Sequence, residues 1–267
     1  MEYQKFIPEG WNEGENVYTF SELKSALDSR EVLSGKVTQC DFSNNLHVSL
    51  GKGIEGIIPR KEFEYINVDE DGCCNPKICK GKVDSYVCFR VKEINNNSNV
   101  ILSRKSVQKD AINWIKEDLK PGMVINGIVK NIRKFGAFIE IGGGVVGLLH
   151  IEDISVSRIK SPEERLKIGQ KIPVMIKYID IDRNKIVLTY KELLGNWEDN
   201  VKEYEEKTVV EGIVKEADQY KNGIFIELKP NLVGLAEYKE GLEYGQKVNV
   251  YIKKIMKDRK KIKLLII

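Results

Sequence analysis

The sequence predicts an all-β chain: three five-stranded barrels in tandem, joined by short helical linkers and preceded by a short N-terminal helix. Three observations carry that prediction. Residues 122–191 alternate short β-branched runs with turns rich in glycine and asparagine, the pattern of a small closed sheet. A Gly-x-Val strand opening occurs three times, as Gly35-Lys36-Val37, Gly127-Ile128-Val129 and Gly212-Ile213-Val214. A tryptophan-bearing segment precedes the second and third openings, with Trp114 ahead of Gly127 and Trp197 ahead of Gly212. A chain of 267 residues accommodates two or three such units.

Taken in order, residues 1–30 form an arm and a short helix. The first sixteen residues show no period and read either as an arm ordered by contact or as a loose tail. Thr19-Phe20-Ser21-Glu22 is a capping box, and Phe20, Leu23, Ala26 and Leu27 then share one helical face. Residues 31–106 form the first barrel, 107–120 a helical linker, 121–193 the second barrel, 194–206 a second linker and 207–267 the third barrel. Within the second barrel, strands are expected over 124–132, 145–149, 171–181 and 186–190, with the run from Ala137 to Ile141 between the first two. Gly142-Gly143-Gly144 is a hairpin turn, since the Lys-Ser/Thr of a nucleotide loop does not follow it. Five short strands in about 70 residues fit the OB-fold.

One strand points to function. Ala137, Ile139 and Ile141 alternate as a buried set, which leaves Phe138 on the outer face between Gly136 and Glu140. An aromatic ring facing water beside small and charged neighbours is a platform for something flat. Arg133, Lys134 and Phe135 lie just before it, and His150, Arg183 and Lys185 follow. Rings interleaved with cations are the ingredients of a single-stranded nucleic-acid surface.

Gly127-Ile128-Val129, Phe135-Gly136-Ala137-Phe138, Val146-Gly147-Leu148-Leu149-His150-Ile151, Ile168-Gly169-Gln170-Lys171 and Lys185-Ile186-Val187-Leu188 follow one another in a recognisable order and spacing. In this the central unit resembles the S1 RNA-binding domain over its full length. That family is named after the largest protein of the bacterial small ribosomal subunit. The resemblance implies an RNA-binding face at Phe135, Phe138, His150, Asp180, Arg183 and Lys185, where rings stack bases and cations hold phosphate oxygens. The first unit places Leu46, Val48 and Leu50 at the buried positions, but it has Asn44 and His47 in place of the two rings and Pro59 in place of His150. Its Gly56-Ile57-Ile58-Pro59 is similar to the first domain of the ribosomal family, which implies docking on the small ribosomal subunit. In the third unit Phe225 matches Phe138, Asn222 replaces Phe135, and Tyr220 stands where it can supply the second ring. Glu237 takes the place of His150, and the last hairpin is basic, with Arg259 and Lys261.

Charge distribution agrees with this division. Residues 121–193 carry twelve basic side chains against eight acidic, and 207–267 thirteen against eight, whereas 1–30 carry three against six. The basic excess lies in the two C-terminal units and suits a polyanion. No apolar run is long enough to cross a bilayer, so no membrane partner is expected. Five cysteines in the N-terminal half suggest reduced thiols in the cytoplasm. Cys73, Cys74 and Cys79 lack the paired spacing of a zinc knuckle, and neither metal nor cofactor is expected. The two histidines, His47 and His150, fall in different units, and no catalytic motif accompanies them.

The expectation is therefore a non-enzymatic protein that binds single-stranded RNA, messenger RNA in particular, at the ribosome during translation. Two alternatives stand beside it: a protein-docking adaptor, and a regulatory RNA-binding subunit of an RNA-processing enzyme.

Overall fold

The computed structural model describes residues 4–12, 14, 16–66, 68–95, 99–180, 182–183, 185–218 and 223–267. Helix α1 (Phe20–Ser29) opens with the capping box, Thr19 Oγ1 accepting from the Glu22 amide while Glu22 accepts from the Thr19 amide. Leu23 and Ala26 are buried against the first barrel, whereas Phe20 stays exposed.

That barrel comprises β1 (Leu33–Cys40), β2 (Leu46–Ser49), β3 (Glu55–Ile58), β4 (Tyr86–Ile94) and β5 (Val100–Ser103), closed in the order β1-β2-β3-β5-β4. Its β3–β4 connection is long and holds helix α2 (Pro76–Lys80), with Cys73, Cys74 and Cys79 buried as free thiols. Helix α3 (Arg104–Asp118) leads to the second barrel: β6 (Val124–Arg133), β7 (Gly136–Gly142), β8 (Val145–His150), β9 (Lys171–Asp180) and β10 (Lys185–Thr189). After α4 (Trp197–Val201) come β11 (Val209–Asp218), β12 (Gly223–Lys229), β13 (Leu232–Ala236), β14 (Lys247–Met256) and β15 (Lys261–Ile266). Barrels two and three close in the same strand order as the first. In each, the third and fifth strands form the parallel pair that seals the sheet.

The recurring Gly-x-Val opening has a steric cause. A Cβ on Gly127 would lie 2.4 Å from Ile139 Cγ2, one on Gly212 2.4 Å from Ile226 Cγ2, and one on Gly35 2.7 Å from Val48 Cγ1. Glycine lets the first strand pass over the branched side chain of the second, so the core closes at a small radius.

Residues 4–12 are an ordered arm laid across barrel two. Gln4 behaves like a neighbouring strand: its Nε2 donates to the carbonyls of Asn126 (3.0 Å) and Ile141 (3.1 Å), and its Oε1 accepts from the Asn126 amide (2.9 Å). Phe6 is buried with its ring 5.9 Å from that of Trp114. Glu9 has no solvent exposure, and its carboxylate takes Arg104 through both oxygens (2.6 and 3.0 Å), the Cys88 amide (3.1 Å) and Lys82 (3.3 Å). Arg104, itself buried, reaches Glu64 at 2.7 Å. The arm, α3 and both barrels thus meet around one buried guanidinium.

This clasp corrects one reading of the sequence. Alternation puts Glu140 on the outer face beside Phe138, but Glu140 is buried. Its carboxylate accepts from the amides of Glu9 (2.6 Å) and Gly144 (2.9 Å), and Lys130 lies at 3.6 Å. The far end of β7 is covered by the arm and α3, so the outer face of the strand is solvated at one end only.

Barrel three is joined to barrel two by the β8–β9 connection. Asn231 Oδ1 accepts from the Val156 amide (3.0 Å), while its Nδ2 donates to the carbonyls of Lys191 (2.7 Å) and Gly195 (3.0 Å). The Ser157 amide donates to the Pro230 carbonyl (2.9 Å), and Arg165 pairs with Glu227.

Candidate nucleic-acid interface

The outer surface of barrel two is built strand by strand. A Cβ on Gly136 would meet the Leu149 carbonyl oxygen at 2.4 Å, so glycine allows β7 and β8 to close up where Gly136 faces His150. That approach gathers Phe135, Phe138 and His150 around one edge. The Phe135 and Phe138 rings meet edge to face, centroids 6.1 Å apart and planes at 87°. Phe135 is 48% exposed and Phe138 half-buried. Next to Phe138 in register comes Leu148, then Val187 across the parallel pair, then Tyr178 on β9. A row of ring, two aliphatic side chains and ring therefore crosses four strands.

Charged groups border this row. Arg133 and Lys134 are exposed just before β7, and Lys185 is exposed at the start of β10. The Asp180 carboxylate accepts from the Arg183 amide at 3.1 Å and lies 3.7 Å from Arg183 Nε, which shapes the β9–β10 turn and holds the Arg183 side chain at its rim. Asp180 also accepts from the Tyr178 hydroxyl (3.2 Å), and its charge raises the Tyr178 pKa above its ordinary value. His150 Nδ1 accepts from the Glu152 amide (3.4 Å).

The sequence-predicted residues Arg133, Lys134, Phe135, Phe138, His150, Asp180, Arg183 and Lys185 thus all lie on the strands, strand ends and turns of one barrel surface. Tyr178 is the ring that sequence reading passed over, although it stands two residues before Asp180 and so shares its face. In barrel three the same row runs Phe225, Leu235, Lys263, Lys254. Phe225 is 39% exposed, and Arg259 and Lys261 are exposed on and beside the final hairpin. Tyr220 lies outside the described residues. In barrel one the row is His47, Ile57, Ile101, Glu93. His47 is held between Glu55 (2.9 Å) and Asp41 (3.7 Å), so acids stand where the other barrels carry rings and cations. Phe42, in the β1–β2 loop, is fully exposed and was also missed from sequence; its signal was an aromatic in a polar turn.

Residues 118–191 match the family described as the S1 RNA binding domain. The chain is 33% identical over 266 residues to small ribosomal subunit protein bS1 of Staphylococcus aureus, an alignment covering 93% of this chain and 64% of that protein. It is 31% identical over 270 residues to bS1 of Staphylococcus saprophyticus, covering 95% and 65%. The chain therefore spans somewhat less than two thirds of these curated relatives. Among solved structures, GSP13 from Bacillus subtilis is 26% identical and aligns with a TM-score of 0.27, over 28% of this chain and 58% of that one, a score too low to bear on the assignment. The chain thus carries an S1 RNA binding domain at residues 118–191 and is similar to bS1 proteins along nearly all of its own length.

Proposed function

We propose that this protein binds single-stranded RNA through its tandem barrels and acts in translation as a ribosome-associated messenger-RNA-binding protein. The observation that carries this is the solvent-facing row Phe138–Leu148–Val187–Tyr178, flanked by Phe135, His150, Arg183 and Lys185. Unpaired bases offer two π-faces for such a surface, and the bordering cations meet the phosphates. A duplex keeps those faces stacked, so single strands are preferred.

Barrel two is the principal grip. Barrel three supplies more charge and less stacking, because Lys263 and Lys254 replace the aliphatic and aromatic half of the row. Barrel one, with acids around His47, repels phosphate and instead docks on a partner, the small ribosomal subunit. Exposed Phe42 supports that docking role as an apolar anchor. No helix among the described residues is long and apolar enough to cross a membrane. A cytoplasmic site of action and the absence of catalysis belong to the same reading.

Co-sedimentation with small ribosomal subunits tests it, comparing the full chain with one lacking residues 1–106. Docking through barrel one predicts that the truncated chain stays in the supernatant while still binding a uridine-rich oligomer. Equal co-sedimentation of both forms refutes the docking role.

A further inference from the structure

A cleft of about 700 Å³ lies between the β8–β9 connection of barrel two and the outer face of barrel three. Its volume is that of small-ligand sites, about 300–1,000 Å³. Phe225 and Leu235 line it from barrel three, and Val156, 62% exposed, lines it from barrel two. Among the described residues its lining includes six cationic side chains and no carboxylate. Lys215 and Lys260 are committed to Glu164 (3.0 Å) and Glu198 (2.7 Å), but Lys261 and Lys263 have no ion-pair partner among the described residues. The Ser157 hydroxyl, also in the lining, is buried without a hydrogen-bond partner among the described residues.

We infer that this cleft holds one unpaired nucleotide of an RNA strand already engaged on barrel two, so that both barrels complete a single site. The inference rests on the RNA-binding function proposed above and adds where the strand goes after the first barrel. Three features select a nucleotide. Phe225 occupies the register of Phe138 and offers a ring face to a base. Val156 and Leu235 supply apolar flanks, and the free ammonium groups of Lys261 and Lys263 meet the phosphate. The second wall belongs to the other barrel and is held by Asn231, whose three hydrogen bonds fasten the Val156 segment and the interbarrel linker to the β12–β13 turn. Either barrel alone lacks one wall.

Fluorescence anisotropy on the full chain tests this, using labelled uridine oligomers of about four and about twelve nucleotides, the first short enough for one barrel. Val156→Asp and Val156→Glu change an exposed side chain outside the outer row of either barrel and leave the cores intact. Each is expected to weaken the longer oligomer roughly five- to twentyfold and the shorter by less than about twofold, whereas Phe138→Ala weakens both. If both cleft variants bind the longer oligomer within about twofold of wild type while Phe138→Ala still weakens it, the cleft inference is overturned and the RNA-binding function stands. The cleft would then be left to another occupant, such as an acidic protein segment. If Phe138→Ala changes neither oligomer, the RNA-binding reading fails and this inference with it.

Discussion

Phe138 can serve as a stacking ring because its two sequence neighbours are committed to the core, Ala137 and Ile139 being fully buried. Removing the ring leaves the barrel interior filled. Phe138→Ala is expected to weaken binding of a short uridine-rich RNA by about 1–3 kcal/mol. Phe225→Ala should cost less, and His47→Ala almost nothing, with circular dichroism showing all three folded. Equal losses at Phe138 and His47 would mean that the outer row is not the platform. Glu140 gives a second expectation at this scale. Burial, and then the charge of Glu9, pushes its pKa from 4.5 up to about 7. Between those values the folded protein holds a proton that the unfolded chain has released, so stability falls as pH rises through this window and levels above it. Glu9 moves the other way: burial alone would raise it, but Arg104, Lys82 and Lys130 outweigh burial and hold it below the usual carboxylate range. Its contribution is present above the ordinary carboxylate value and is lost only as pH falls further. The melting temperature should therefore decline from about pH 5 to about pH 7.5, and Glu140→Gln should flatten that decline. An unchanged slope in the variant would assign the titration elsewhere.

At the scale of elements, the two tryptophan-bearing connections differ. Val107, Ala111, Trp114 and Ile115 bury one side of α3 against barrel two and the arm, so this helix is part of that core. The second connection holds a much shorter helix, α4, beyond which residues 202, 203 and 205–207 are exposed. Proteases need locally unfolded chain, and opening α3 would expose its buried face. Limited proteolysis should therefore cut within 202–207 well before 104–118. First cleavage inside α3, read by mass spectrometry, would contradict the packing. The β8–β9 connection is long because it carries the groups that dock on barrel three, Val156, Ser157, Glu164 and Arg165 among them.

Over the whole molecule, the barrels form a chain of fixed joints, and charge is graded along it. Barrel one presents acids around His47, while barrels two and three present cations beside their rings. RNA affinity should fall with salt by roughly 0.7 log units per log unit of salt for each phosphate neutralised. An affinity that stays flat from low to moderate salt would exclude this charge-led association. The arm is the first of the joints. Deleting residues 1–12 removes Glu9 and leaves Arg104 paired with Glu64 alone on its carboxylate side. Calorimetry should then show barrels one and two melting in separate transitions, where the intact chain melts them together. A single unshifted transition would show the clasp to be energetically minor.

The sequence by itself determined the strands and their inner faces. Period-two alternation and glycines that admit a crossing side chain are local properties, readable at Gly35, Gly127 and Gly212 without neighbours. It also placed Phe135, Phe138, His150 and the β9–β10 turn on one surface, because a closed five-stranded order leaves few arrangements for them. Tyr178 was legible by the same rule, two residues from Asp180. What only the tertiary structure decided is where one barrel ends and the next begins to bury it. Glu140 reads as a solvated face residue and is buried, because an arm more than a hundred residues away in sequence covers that end of β7. The cleft beside Phe225 likewise depends on Asn231 holding a loop of the preceding barrel. Alternation reports which way a side chain leaves its own strand; what then covers that side chain depends on long-range packing, which no local pattern encodes.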